Sequence, residues 1–376
     1  MKNRLRQYLN KLLEVNGSDL HLKEGSFVHM RINGELHALK SDKLNHDEMT
    51  QIVQELLTTN EYGRFKEEQE LDSSYTVDNR RYRVNIFYHM HGLGVAMRVI
   101  PDDILSLEAL HLPKVVEKLS ELEHGLILVT GTTGSGKSTT LAALLDRINK
   151  TKRKHIVSIE DPVEYLHKEQ LCLISQRSVG SNTQTFANAL RSSLREDVDI
   201  IFIGELRDLE TMEIALLAAN TGHLVVATLH TMDAKETIGR IIGMFPQEEQ
   251  IRVRTALSFV LEAVVSQRLV KTIKDGRIPA VEVLLKTTRI AELIAENRDN
   301  EILESIEKGK DIYGTQSYDQ SLFALYNKGT IAKSTALRHA TNPSDLSLNI
   351  QGIQKNTEGE NKNTAKKQNK GVFDLK

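Results

Sequence analysis

The chain has 376 residues, enough for two domains that each bury a core of their own. Lys and Arg total 49 against 51 Asp and Glu, a formal net charge of −2, so no net field recruits nucleic acid. One cysteine, Cys172, excludes a disulfide framework and a multi-thiolate zinc site within the chain.

The apolar setting of Cys172, Leu171 to Ile174, predicts a buried strand thiol in a reducing cytosolic compartment. The opening segment, MKNRLRQYLNKLLEV, has basic residues but no uninterrupted apolar stretch and no small-residue cleavage site. It reads as an amphipathic helix rather than a signal peptide. No run approaches the roughly 18 apolar residues of a membrane span, so the expectation is a soluble or peripheral protein.

After that helix, strands are expected at Asp19 to Leu22, Phe27 to Ile32 and Glu35 to Leu39. Asn33-Gly34 between the last two is a strong hairpin signal. Residues 46–68 carry helical spacing, and further strands follow at Tyr82 to Tyr88 and Gly94 to Val99. This is a small α+β domain, 1–101, closed by Pro101 and followed by a linker at 102–112.

From Gly125 the period changes. Apolar runs at Leu126 to Thr130, His155 to Ile159, Ile200 to Ile203 and Leu224 to Thr228 alternate with helical segments, which predicts a parallel sheet covered on both faces. From about residue 233 the pattern is mostly helical, with a late strand at Ala280 to Leu285. The core is thus placed at 113–348. Residues 349–376 are polar and almost free of large apolar side chains, so they are expected to stay disordered.

Four motifs carry chemistry. Gly131-Thr132-Thr133-Gly134-Ser135-Gly136-Lys137-Ser138 has the spacing of a phosphate-cradling loop. Its glycines let backbone N–H groups converge on phosphate oxygens, Lys137 neutralises β/γ charge, and Ser138 offers a Mg²⁺ ligand. An apolar strand precedes it, and a helix beginning at Thr139 places a positive end beneath the phosphates. The second motif, Asp199 to Glu205, is an apolar strand ending in an acid, where parallel sheets bind ligand. The third, Ser158 to Glu164, sets Glu160, Asp161 and Glu164 so close that a shared cation is their natural partner. In the fourth, His223 and His230 bracket a strand, which suits sensing of the γ-phosphate.

In this order the motifs resemble those of the secretion ATPase superfamily, and specifically the type IV pilus motors of the PilT/PilU group. The resemblance rests on the phosphate loop, on the aspartate box Ile159 to Tyr165, on the acidic strand run Ile201-Phe-Ile-Gly-Glu-Leu-Arg-Asp208, and on the histidine box Thr221 to His230. Gly17-Ser-Asp-Leu-His-Leu, Arg83-Val-Asn, Ile174-Ser-Gln-Arg and Ala189-Leu-Arg-Ser are similar to family signatures as well.

This resemblance implies a PAS-like N-terminal domain, a RecA-like α/β core and a homo-hexameric ring hydrolysing ATP with Mg²⁺. ATP would lie between the two domains on residues Gly131 to Thr139. Glu164, Glu205 and His230 would be catalytic, and Ser138, Glu160, Asp161 and Glu205 would hold the metal. Arg83, Arg98, Arg195 and Arg240 match phosphate-contacting arginines. Implied partners are a paralogous pilus ATPase and the inner-membrane pilus platform protein, with the ring peripheral at the membrane base of the machine. Family retraction motors carry Ala-Ile-Arg-Asn-Leu-Ile-Arg-Glu where this chain has Arg289-Ile-Ala-Glu-Leu-Ile-Ala-Glu296. The intact Lys137, Glu164 and Glu205 favour a pilus-disassembling motor, while the altered 289–296 stretch is PilU-like and favours an accessory subunit of a partner ATPase.

Overall fold

The computed structural model describes residues 2–32, 34–40, 42–78, 80–100, 103–274 and 276–352. Its first sheet is wholly antiparallel. Helix α1 (Lys2–Glu14) precedes strands β1 (Asp19–Lys23), β2 (His29–Ile32) and β3 (Glu35–Ala38). Ile32 pairs with Glu35, so the expected hairpin forms, although Asn33 itself lies outside the described residues. The helical stretch 46–68 is two helices, α2 (His46–Leu56) and α3 (Thr59–Glu68). Thr58 breaks it by capping α3 in a reciprocal box with Glu61. Strands β4 (Glu70–Val77), β5 (Arg80–His89) and β6 (Gly92–Ile100) complete the order β3-β2-β1-β6-β5-β4. Strand β4 has no counterpart among the expected strands, because its sequence ELDSSYTV is too polar to announce an edge strand. Pro101 and Asp102, at the expected domain boundary, lie outside the described residues.

The second sheet follows a short helix α4 (Lys114–Lys118) and holds β7 (Gly125–Thr130), β8 (His155–Glu160), β9 (Leu173–Ser178), β10 (Ile200–Ile203) and β11 (Leu224–Leu229). Helices α5 (Lys137–Thr151), α6 (Phe186–Ser193) and α7 (Leu209–Asn220) are the crossovers, and α8 (Ala234–Gly243) and α9 (Gln250–Val260) follow β11. The sequence past 233 is less helical than expected. Helix α9 runs directly into β12 (Leu261–Lys271), which forms an antiparallel hairpin with β13 (Arg277–Leu285). No Gly or Pro punctuates the change at Leu261, and Leu, Glu, Ala, Gln and Arg in β12 favour helix when read locally. Its neighbour β7 decides the matter by pairing with it in parallel.

The order is β13-β12-β7-β11-β10-β8-β9, parallel throughout except for the β12–β13 edge. Strands β7, β10 and β11 are buried along their whole length, as near-continuous Val/Ile/Leu runs covered on both faces must be. One face packs under α6 to α9, and the other under α4 and α5. Cys172 is buried but sits just ahead of β9 rather than within a strand. The C-terminal helices are α10 (Thr288–Ala295), α11 (Ile302–Lys308), α12 (Lys310–Tyr313), α13 (Tyr318–Asn327), α14 (Lys333–His339) and α15 (Pro343–Ile350). Helix α15 carries order two residues beyond the expected end of the core, and 353–376 lie outside the described residues.

Candidate active site

Strand order brings the motifs together. The phosphate loop leaves the end of β7, His230 follows β11, Glu205 follows β10, and Glu160 ends β8. These are the carboxyl ends of four adjacent parallel strands, where sheets of this kind bind ligand. A cleft of about 590 Å³ opens over them, with a second wall from the N-terminal sheet: Arg83, Arg98, Val99 and Ile100.

The loop bends through left-handed backbone at Gly131, Gly134 and Gly136, and α5 begins at Lys137. Its N-terminus therefore offers unpaired N–H groups and positive potential to an anion in the cleft. Lys137 Nζ donates to Gly131 O at 2.7 Å and Thr132 O at 3.2 Å, which curls the side chain back beneath the loop. Burial lowers the pKa of the Lys137 ammonium, and Glu205 and Glu164 oppose that shift. Ser135 Oγ is buried without a hydrogen-bond partner among the described residues, and Ser135, like Gly131 and Thr132, does not line the cleft. Thr133, Gly134, Gly136, Lys137, Ser138 and Thr139 line the cleft.

A polar chain links loop and acids. Lys137 Nζ lies 3.4 Å from His230 Nδ1, and His230 Nε2 lies 3.2 Å from Glu205 Oε1. With Lys137 donating to Nδ1, the imidazole donates its Nε2 proton to the carboxylate, which fixes the tautomer. Arg207 holds the other Glu205 oxygen at 2.8 Å and reaches Asp161 at 3.9 Å. Burial raises the Glu205 carboxyl, but Arg207 and His230 outweigh it and leave the group below its ordinary value.

Glu160 differs from its neighbours. Its Oε1 accepts from Ser158 Oγ at 2.8 Å and Gln176 Nε2 at 3.4 Å, and its Oε2 accepts from the Glu164 N–H at 3.3 Å. Burial pushes its carboxyl up to about 7 against those three donors. Glu164 faces the N-terminal domain, 3.6 Å from Arg83. Arg98 is held by the buried Asp19 at 2.8 Å.

Not every expected residue gathers here. Arg195 follows α6 and is not among the residues lining the cleft, while Arg240, on α8, lines a separate shallow depression with Asp233, Glu236 and Asp299. His223 lies at the amino end of β11, opposite His230, and its Nδ1 meets Ala218 O at 3.1 Å. Sequence reasoning also passed over Arg207, Tyr165, His167 and Arg277, all of which line the cleft. Arg207 stands two residues beyond Glu205, within a run already singled out; Arg277 is found only once the β12–β13 hairpin is known.

Among the described residues no cluster of three His, Cys, Asp or Glu side chains has metal-ligand geometry. Mg²⁺ does not need one, since it is commonly held by one or two protein oxygens together with phosphates and water. Ser138, Asp161 and Glu205 present hard oxygens of that kind along the same cleft.

A parallel sheet with a phosphate loop on one strand, an acid on a near neighbour and a cleft shared with a second domain defines a RecA-like P-loop ATPase. The model of the Type II/IV secretion system protein family matches residues 1–323. The chain is 43% identical over 330 residues to the type IV pilus retraction ATPase PilT of Pseudomonas aeruginosa, covering 88% of this chain and 96% of that protein. To the type IV pilus ATPase PilU of the same organism it is 38% identical over 344 residues, covering 91% and 90%. Among solved structures, the pilus retraction motor PilT with bound ADP superposes with a TM-score of 0.84 at 40% identity, covering 90% of this chain and 97% of that one. The chain belongs to the secretion ATPase family, in its PilT/PilU group, and is an ATP hydrolase.

Proposed function

We propose that this chain is the ATPase motor of type IV pilus retraction, working as a homo-hexamer at the cytoplasmic base of the pilus machine. The observation that carries the reading is the Arg83–Glu164 contact, in which a cation of one domain meets an acid of the other across the cleft. A phosphate group entering there competes for the arginine, so hydrolysis and release change the force between the domains. Lys137 and the loop N–H groups hold the β- and γ-phosphates, Arg83 and Arg98 close over them, and Glu164 and Glu205 orient the attacking water. His230, between Lys137 and Glu205, senses the γ-phosphate.

Mg²⁺ would neutralise charge on the β- and γ-oxygens. We assign it to Ser138, Glu205 and Asp161 rather than Glu160, whose oxygens already accept three protein hydrogen bonds. Arg195 and Arg240 are assigned to interfaces between neighbouring copies. A paralogous pilus ATPase and the inner-membrane platform protein are the fitting partners.

A second reading, an accessory subunit of that paralogue, is favoured by α10. Where family motors carry two arginines and an asparagine, this helix has Ala291, Ala295 and Glu292. The test is phosphate release by the purified chain beside its Lys137→Ala variant, with pilus retraction followed in a deletion strain complemented by each. Absence of Lys137-dependent hydrolysis would sink the motor reading. Hydrolysis with retraction that persists only when the paralogue is present selects the accessory role.

A further inference from the structure

We infer that Gln267 is a positioning residue of the phosphate loop, aiming one of its N–H groups at the nucleotide from behind. The inference rests on reading Gly131 to Ser138 as the phosphate site. Gln267 lies on β12, one residue past Ser266, and Ser266 pairs with Thr130, the last residue of β7. It therefore stands where β7 leaves the sheet and becomes the loop. The side chain is 2% exposed and does not line the cleft, so it can act on a nucleotide only through the loop.

Both ends of its amide are engaged. Nε2 donates to Ser135 O at 2.7 Å, and Oε1 accepts from Thr140 Oγ1 at 2.9 Å. Turned over, the amide would set its oxygen against the Ser135 carbonyl, so the Thr140 hydroxyl on the first turn of α5 fixes the orientation. The Ser135–Gly136 peptide is trans, and in a trans peptide the C=O and the following N–H point in opposite directions. Drawing the Ser135 carbonyl toward β12 thus turns the Gly136 N–H away from it, toward the cleft that Gly136 lines.

The glycines agree with this geometry. A Cβ on Gly131 would stand 2.4 Å from Gln267 O, and one on Gly136 would stand 2.9 Å from Gln267 Nε2. Two glycines of the loop therefore leave room for this one residue, besides adopting positive φ. Glutamate has the same shape but no N–H to offer, and would face the Ser135 carbonyl with a second acceptor.

ADP and AMP binding to the full chain by calorimetry tests this, using the parent, Gln267→Glu, Thr140→Val and Lys137→Ala, with thermal unfolding of each. Gln267→Glu is expected to weaken ADP by about 10- to 100-fold and AMP by less than about 3-fold. Thr140→Val, which frees the amide to rotate, is expected to weaken ADP by about 3-fold with AMP unchanged. A merely structural glutamine lowers the unfolding temperature and leaves the ADP-to-AMP ratio where it was. An unchanged ratio in both variants overturns the proposal. Should Gln267→Glu not fold, the ratio in Thr140→Val decides alone. Failure of the underlying phosphate-site reading is distinct, because Lys137→Ala would then bind ADP as tightly as the parent.

Discussion

The Arg83 guanidinium of the N-terminal sheet stands 3.6 Å from the Glu164 carboxylate of the core, joining two domains at the mouth of the cleft. The side chains are 39% and 36% exposed, so as an ion pair they contribute under about 1 kcal/mol to stability. The value of the contact lies in where it puts the two charges.

That separation of roles predicts a dissociation between rate and stability. Arg83→Ala and Glu164→Gln are each expected to lower kcat by about 100-fold or more, as removal of a charge aimed at the transition state does. The melting temperature should move by no more than about 4 °C, the share of so weak a contact in a domain of this size. Steady-state phosphate release and calorimetry on the same samples check it; a large fall in melting temperature would make the pair structural.

What could be read from the residues was what lies contiguous in the chain. Strands β7, β8, β10 and β11 are short apolar runs, each leading into residues that line the cleft, so order along the chain pointed to both fold class and candidate site. Strand β12 escaped because helix-forming residues become a strand there only through pairing with the distant β7, Leu261 beside Leu126. Gln267 and Arg277 escaped with it. His223 and His230 look equivalent in the sequence, yet the six-residue strand β11 separates them, His223 at the amino end of the parallel strands and His230 at the carboxyl end. Arg195 and Arg240 lie away from the cleft in a single chain, which no local spacing could reveal.

Glu282 sets a pH dependence of stability. It is 3% exposed beneath the start of α8, where its Oε1 accepts from the Ala234 N–H at 2.8 Å. Burial pushes its carboxyl up to about 7, from 4.5 in the unfolded chain. Between those values the folded chain holds a proton that the unfolded chain has released, so its stabilising contribution is complete below 4.5 and is lost as pH rises through about 7. Glu282→Gln keeps the acceptor and removes the titration. Relative to the parent, the variant should gain about 3 kcal/mol across that window, seen as a growing difference in melting temperature. Parallel curves for the two proteins would contradict the assignment.

Arg254 and Asp299 form a two-pronged pair at 2.9 Å on each arm, with side chains 12% and 16% exposed. Arg254 also donates to Ile294 O near the end of α10, tying α9 to that helix. Asp299→Ala leaves a nearly buried guanidinium uncompensated and should cost about 3–5 kcal/mol. The double variant Arg254→Met/Asp299→Leu removes both charges and is expected to recover most of that loss. Chemical unfolding of the three proteins decides; equal losses in single and double variants would show that packing, not charge, governs the site.

Helix α10 keeps its core face while its outward face departs from the family's motor motif. Ile290, Leu293 and Ile294 are buried, which preserves the helix's attachment to the core. Ala291 is half-buried, while Glu292 and Ala295 are exposed, so the departures from the family's motor motif fall on the outward surface. Substituting Ala291→Arg, Glu292→Asn and Ala295→Arg together should therefore change stability by about 0.5 kcal/mol per site or less. ATP turnover should stay within about twofold, because the cleft is lined by other elements. Pilus retraction in a strain lacking the paralogous ATPase should rise. Turnover and retraction falling together would instead tie this helix to the chemistry, while retraction unmoved would separate the outward face of α10 from force output.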